Sequence, residues 1–435
     1  MSEVPASTLG RSRSVERKLL LYAGAYLGTG TAILFLHGYG KVPWTVLAGA
    51  ATAFLSFILL HFFWSFKGFG GDPFLLPLVA LLSFTSLLFL YRLNPAYAVR
   101  QFAWLLVGVA SLWAVTCWFP RYQALADYKY LYAFAGAVAL LLPIFCGVEQ
   151  GGARSWLDLG LFYVQPSEFV KVLLVLFLAA YLAENRLLLS AGNFKVLGVF
   201  LPSPRDWGPM LVMLGVSLLL VIFQKDLGAG LIYFATFLAM VYVGTARAAY
   251  VLLGALLFLA GAAGSYFLFD HVRLRVQVWL NPWALIDTAG YQIAQSLFAL
   301  ASGGLWGTGL GKGMPEYIPA VHTDFIFAAI TEEMGLGGAL AFLVVYMLLV
   351  YRGFLVAVSS RDEFGSLMAA GLSALLGLQA LIIIAGVSKL LPLTGIALPF
   401  LSYGGSSLVA NFILLGLLLN VSHHVCFDGA GKEAS

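Results

Sequence analysis

The chain has 435 residues, 61% of them hydrophobic and only 10% charged, where a soluble globular domain carries roughly a quarter charged residues. That composition excludes a soluble globule and marks an integral membrane protein. The formal charge of +4 is small for this length and fits basic anchoring of helix ends, and no basic stripe supports nucleic-acid binding.

In chain order, the polar, basic N-terminus leads into an apolar run too long for a secretory signal peptide, so a retained first helix is expected. Roughly twelve apolar runs can cross about 30 Å of hydrocarbon. They centre on Leu19–Leu36, Trp44–Trp64, Pro73–Leu90, Ala103–Phe119, Tyr130–Phe145, Phe169–Leu182, Met210–Phe223, Leu227–Val243, Ala249–Phe269, Phe325–Val350, Leu367–Val387 and Leu408–Val421. The expected fold is an all-α polytopic membrane protein. Cys117, Cys146 and Cys426 lack CxxC spacing and suggest neither a disulfide framework nor a zinc site. The connection Ala183–Trp207 is partly apolar and is expected along the membrane surface.

With both termini cytoplasmic, the inner gaps and tails hold 14 of the 24 Lys and Arg residues and the outer side holds 10. The bias has the positive-inside sign but is small. Outer cations such as Lys41, Arg154 and Lys225 resist that rule, and an anionic substrate at the outer surface would account for them.

Several stretches carry candidate chemistry. In GARSWLDLGLFYVQPSEFVKV, Glu168 and Lys171 stand three apart after Pro166, a spacing that serves a helix start or a site equally well, and Arg154 offers a fork of donors to phosphate. FQKDLGAG places Lys225 and Asp226 in a tight turn close to hydrocarbon, where charge is costly. Arg273 and Arg275 either anchor a membrane helix or grip a pyrophosphate. Gly290–Ser302 reads as an amphipathic interfacial helix with Gln292, Gln295 and Ser296 on its polar side. The following GGLWGTGLGKG lacks the pattern of a Walker loop, because Trp306 and Gly313 stand where that motif needs Gly and Ser or Thr.

Asp324, in HTDFIFAAI, lies at the membrane boundary near a helix start, as an N-cap or as an ionised carboxylate able to accept a proton. His322 beside it is a second acid–base candidate or a surface histidine. Glu332 and Glu333 fall deeper, where they must be neutral, paired or set in a wet cavity. Lys389 and the polar run from Ser402 to Ser407 interrupt the last two apolar segments, for packing or for substrate contact.

In this order, GARSWLDLG…QPSEFVK, QKDLGAG, GYQIAQSLFALASGG, HTDFIFAAITEEMGLGG and LPLTGIALPFLSYGGSS closely resemble the SEDS family (shape, elongation, division and sporulation), over about residues 73–421. The resemblance implies a peptidoglycan glycosyltransferase that polymerises lipid II on the outer face of the bacterial cytoplasmic membrane. It implies Asp324 as the catalytic residue and Arg154, Lys171, Lys225, Arg273 and Lys389 as ligands of the donor's pyrophosphate, with Gln292, Gln295, Glu332 and Ser402 as further substrate-binding candidates. No tightly bound cofactor is expected beyond a divalent cation such as Mg or Mn. The implied partners are a class B penicillin-binding protein transpeptidase and other elongation or division complex proteins.

The family commonly has about ten membrane helices, so residues 19–66 read as an extra pair, between a cytoplasmic tail of residues 1–18 and a core of residues 67–422. Residues 423–435 form the second tail, and residues 271–324 the extracytoplasmic catalytic loop. Ala320 stands where the family often has Glu. A lipid II flippase and a non-catalytic scaffold are the alternative classes; a flippase would use Glu332, Glu333 and Lys225 as internal charges.

Overall fold

The computed structural model describes residues 6–433 except 37–43, 120, 151, 161, 192–193, 197–198 and 202–203. Lys41, counted above among the outer cations, lies outside them. Among the described residues, twelve helices are long and apolar enough to cross a membrane. They are α1 (Ala6–Leu36), α2 (Trp44–Phe66), α3 (Leu75–Leu93), α4 (Pro95–Trp118), α5 (Lys129–Cys146), α6 (Pro166–Ala191), α7 (Pro204–Phe223), α8 (Leu227–Thr245), α9 (Ala248–Leu268), α12 (Ile326–Ser359), α13 (Glu363–Val387) and α14 (Gly405–Glu433). Two shorter helices, α10 (Asp270–Leu280) and α11 (Tyr291–Ser302), fill the long interruption between α9 and α12.

The all-α reading holds, with two small additions. The polar connection before α6 folds into an antiparallel three-stranded sheet, β1 (Gly147–Gln150), β2 (Ala153–Asp158) and β3 (Tyr163–Val164). The connection after α6 forms a hairpin, β4 (Phe194–Val196) with β5 (Val199–Leu201). Helices α3, α6, α13 and α14 are the most enclosed, and α9 stands at the edge against α8 and α10.

Helices α1 and α2 are fastened to the rest at one end. Arg13 donates to Glu16 at 2.6 Å, His61 bridges to the other Glu16 oxygen at 2.7 Å, and Arg13 also reaches the Phe69 carbonyl. Trp64 donates to the Thr116 hydroxyl of α4 at 3.2 Å. At the opposite end, Leu34 lies next to Gly311 of the glycine-rich segment, where a Cβ would stand 3.6 Å from the Leu34 side chain. Lys67 and the pair Asp72–Arg352 lie at the same end as Arg13; the five motif segments gather at the other.

Helix α12 is broken at Gly335, whose φ of 68° and ψ of −173° leave the helix. A break frees amides and carbonyls that must find other partners at membrane depth. The glycine-rich segment supplies them: Thr308 and Gly309 donate to the Glu332 and Glu333 carbonyls at 2.9 Å each, and Leu336 and Gly337 donate to the Gly304 and Leu305 carbonyls at 2.9 and 3.2 Å. Side chains complete the lock. Glu333 accepts from Arg92 of α3 and from the Gly311 amide, both at 3.0 Å, while Glu332 accepts from the Met314 amide at 2.9 Å. Glu332, expected to bind substrate, therefore serves the fold instead. It is buried beside Gly313 and does not reach the cavity described below.

A Cβ on Gly335 would stand 2.3 Å from the Gly307 nitrogen at a positive φ, whereas one on Gly337 would meet the Leu305 carbonyl oxygen at an ordinary 3.6 Å. Gly335→Ala is expected to lower the thermal unfolding midpoint in detergent strongly, by a free-energy cost of about 2 kcal/mol or more, with Gly337→Ala close to wild type. Equal midpoints for the two variants would contradict the lock.

Candidate active site

Residues of α6, α8, α10, α11 and α13, together with β2 and the segments 320–324 and 393–407, enclose a cavity of about 470 Å³. Of the residues singled out in the sequence, Asp324, Lys171, Lys225 and Gln292 line it. Arg154, Arg273, Lys389, Gln295, Glu332 and Ser402 do not.

The reasons are local. Side chains alternate along a strand, so within β2 Ser155 is buried toward the cavity while Arg154 is exposed and donates to the Gly147 carbonyl at 2.9 Å. Residues two apart on a helix point about 200° apart, so Arg275 lines the cavity while Arg273 turns away to Asp270 at 3.5 Å and to the Phe267 carbonyl at 3.2 Å. Of this pair the expectation fell on Arg273, whereas Arg275 is the one that lines the cavity. Lys389 adopts a left-handed φ of 62°, and its carbonyl accepts from Trp279 at 3.1 Å. On α11 the buried face is Ile293, Ala294, Ser296 and Ala299, with Ser296 bonded to the Val387 carbonyl; Phe298 is exposed and Gln295 is half-buried beside the cavity-lining face.

Lys171 donates to Glu168 and, at 2.9 Å, to Gln379 of α13. Lys225 holds a φ of 59°, a strained conformation for a residue with a Cβ. The next residue, Asp226, caps α8 through the Ala229 amide at 3.1 Å and accepts from Gln165 at 3.0 Å. Burial pushes the Asp226 carboxyl above its ordinary value, opposed by the Ala229 amide. The cavity thus carries three cations, Lys171, Lys225 and Arg275, and three carboxylates, Glu168, Asp226 and Asp324.

Asp324 is half-buried, and it is not the N-cap of α12: Phe325 holds that place, with no side-chain capping bond. Its loop is gripped from outside. Ser402 donates its hydroxyl to the Thr323 carbonyl and accepts from the Leu398 amide at 2.9 Å, and the Tyr403 amide donates to the His322 carbonyl at 2.8 Å. Ser402 accordingly holds the residue before Asp324 in place and makes no contact with the cavity. His322 stacks on Tyr97 with ring centroids 4.1 Å apart, which accounts for it without acid–base work; burial lowers its pKa. Ala320 lines the cavity where a glutamate had been considered.

Burial raises the Asp324 carboxyl to about 6, partly offset by the Thr323 hydroxyl and by Arg275. A carboxyl in that range is ionised near neutrality yet basic enough to take a proton. Among the described residues no group of three His, Cys, Asp or Glu side chains is placed to hold a metal ion. Arg275, Asp226 and Tyr403, which lie in stretches read for site chemistry, also line the cavity, and so does Gln379, which the sequence reading passed over. For Gln379, the available signal was a lone amide within an apolar run.

The family model described as "Cell cycle protein", which covers FtsW, RodA and SpoVE, matches residues 71–426. The chain is 42% identical over 428 residues to the "Peptidoglycan glycosyltransferase RodA" of Mycobacterium tuberculosis, covering 94% of this chain and 90% of that one. It is 35% identical over 333 residues to the "Stage V sporulation protein E" of Bacillus subtilis, covering 75% and 87%. Among solved structures it is similar to the Thermus thermophilus rod shape determining protein RodA, with 28% identity, a TM-score of 0.60 and coverage of 82% and 98%. A second, reported under "Structural coordination of polymerization and crosslinking by a peptidoglycan synthase complex", gives 27% identity and a TM-score of 0.66, with coverage of 82% and 98%.

Because the folded value of Asp324 exceeds the ordinary 3.8, the folded chain binds more protons between the two values, and this group costs the fold more as pH rises from 3.8 to about 6. Infrared difference spectra are expected to show a protonated carboxyl band that disappears with a midpoint near pH 6 and is missing in Asp324→Asn. A midpoint at 3.8 would contradict the desolvated setting.

Proposed function

The chain belongs to the FtsW, RodA and SpoVE family, and from that premise we propose that it joins lipid II disaccharides into glycan strands in the cavity beside Asp324. It is a multi-pass membrane protein and a peptidoglycan glycosyltransferase. The observation that carries the assignment of the site is a desolvated carboxylate, Asp324, sharing one cavity with the cations Lys225 and Arg275.

In the proposed reaction Asp324 takes the proton from the 4-hydroxyl of the acceptor's N-acetylglucosamine. That oxygen forms a bond to the anomeric carbon of the donor's N-acetylmuramic acid. The bond from that carbon to the pyrophosphate oxygen breaks, and undecaprenyl pyrophosphate leaves with the electron pair. Asp324 then returns its proton to water. The departing pyrophosphate gains negative charge, which fixed cations in a site of low polarity stabilise far better than water does. Because Lys171 is paired with Glu168, Lys225 and Arg275 are the cations freer to do this.

The cavity is assigned to the extracytoplasmic face and both termini to the cytoplasm. Support comes from the basic N-terminal stretch around Arg13 to Lys18, at the end of α1 opposite the one next to Gly311. The proposed partner is a class B penicillin-binding protein, in keeping with the solved relative reported as coordinating polymerisation with crosslinking. A flippase would need Glu332 and Glu333 on a substrate path, and their bonds to Arg92 and the glycine-rich segment argue against that.

Purified protein with its partner is expected to polymerise labelled lipid II, and Asp324→Asn to make no polymer while still binding lipid II. Retained polymerisation would overturn the site, and lipid II scrambling across vesicles without polymer would favour the flippase. Arg275→Ala should lower kcat/KM roughly 10-fold to 100-fold, with most of the loss in kcat, while Arg273→Ala stays within about twofold of wild type. The reverse order would reject the assignment of Arg275.

A further inference from the structure

Gln379 sits midway along α13 in an otherwise apolar stretch and is only 1% exposed, yet it borders the cavity. A buried amide is costly unless both of its ends are bonded. Here they are: Oε1 accepts from Lys171 Nζ at 2.9 Å, and Nε2 donates to the Ala397 carbonyl at 2.8 Å. The two partners fix the orientation of the amide, since an ammonium only donates and a carbonyl only accepts.

Each partner leads to the site. Lys171 is one of the cavity's three cations, and its other bond goes to Glu168 on its own helix. Ala397 belongs to the cavity-lining segment 393–397, which has no helix or strand to hold it. Within that segment Gly395, at a φ of 70°, approaches so closely that a Cβ there would stand 3.7 Å from Asp324 Oδ2. One side chain from α13 therefore joins a cation of α6 to the backbone that backs Asp324.

We propose that Gln379 is a positioning residue of the polymerisation site, holding the Lys171 ammonium and the segment behind Asp324 at a fixed separation. This rests on the reading of the cavity given above. Lys171 has a flexible four-carbon stem, and the Glu168 bond alone ties it only to its own helix. Without Gln379, the ammonium loses its tie to α13 and the Ala397 carbonyl loses its buried donor.

The test compares Gln379→Leu and Gln379→Glu in the full chain with its partner, reading lipid II polymerisation across pH together with the thermal midpoint. Leucine makes neither bond, so kcat/KM should fall roughly 10-fold to 100-fold at every pH. A protonated glutamic acid has the shape of glutamine, and its O–H can donate to Ala397 while the other oxygen accepts from Lys171; the ionised form has no donor. Gln379→Glu should therefore approach wild-type rate on the acid side and lose activity as pH rises, moving the optimum downward. A wild-type rate in Gln379→Leu, or equal loss in both variants at every pH with a lowered midpoint, would overturn the proposal. A wild-type chain that makes no polymer would remove the reading of the cavity, and this inference with it.

Discussion

A helix broken inside a membrane leaves amides and carbonyls that hydrocarbon cannot satisfy, and the break of α12 at Gly335 sets this constraint on the end of the bundle that holds the cavity. The chain meets it with its own glycine-rich segment, whose positive-φ residues Gly304, Gly307 and Gly309 allow the backbone to lie against Glu332 and Glu333. Arg92 then spans Glu333, the Gly313 carbonyl and Glu316, so α3 is bound into the same lock. The segment that carries Asp324 is thus anchored on one side by this lock and on the other by Ser402 and Tyr403.

Anchoring matters because the cavity gathers charge at a place where charge is expensive. Three cations and three carboxylates balance, but not in equivalent settings. Glu168 is spent on Lys171, and Asp226 on the first turn of α8 and on Gln165. Asp324 neither joins an ion pair nor caps a helix, and its proton affinity is raised by burial and moderated by the Thr323 hydroxyl and Arg275. A base poised near neutrality beside cations suits a reaction that removes a proton from a hydroxyl while a pyrophosphate departs.

The twelve spans and the long interruption between α9 and α12 were legible because each depends on a long run of residues, and small errors at the ends do not change the count. That Asp324, Lys171, Lys225 and Gln292 share one cavity was legible because their motifs mark which segments meet. What failed was phase and partnership. Whether Arg154 or Ser155 faces inward depends on how a short strand sits, and choosing between Arg273 and Arg275 requires the rotation of α10. Neither is written in local sequence. Glu332 and Ser402 looked functional because they are polar within apolar surroundings. Their roles come from partners elsewhere in the chain: the Met314 amide that bonds Glu332 lies 18 residues away, and Thr323 lies 79 from Ser402. The three-stranded sheet was missed for a related reason, since strands of two to six residues leave too short a pattern to read.

The most direct test of Asp324 as the base is the pH dependence of kcat for lipid II polymerisation, measured in the wild type and in Arg275→Gln. The expected wild-type profile rises along an acid limb with a midpoint of about 6, and removing the Arg275 charge, which favours the ionised carboxylate, should move that limb to higher pH. A rate that is flat through this range, or a limb that stays in place when Arg275 is neutralised, would contradict the assignment of Asp324 as the proton acceptor.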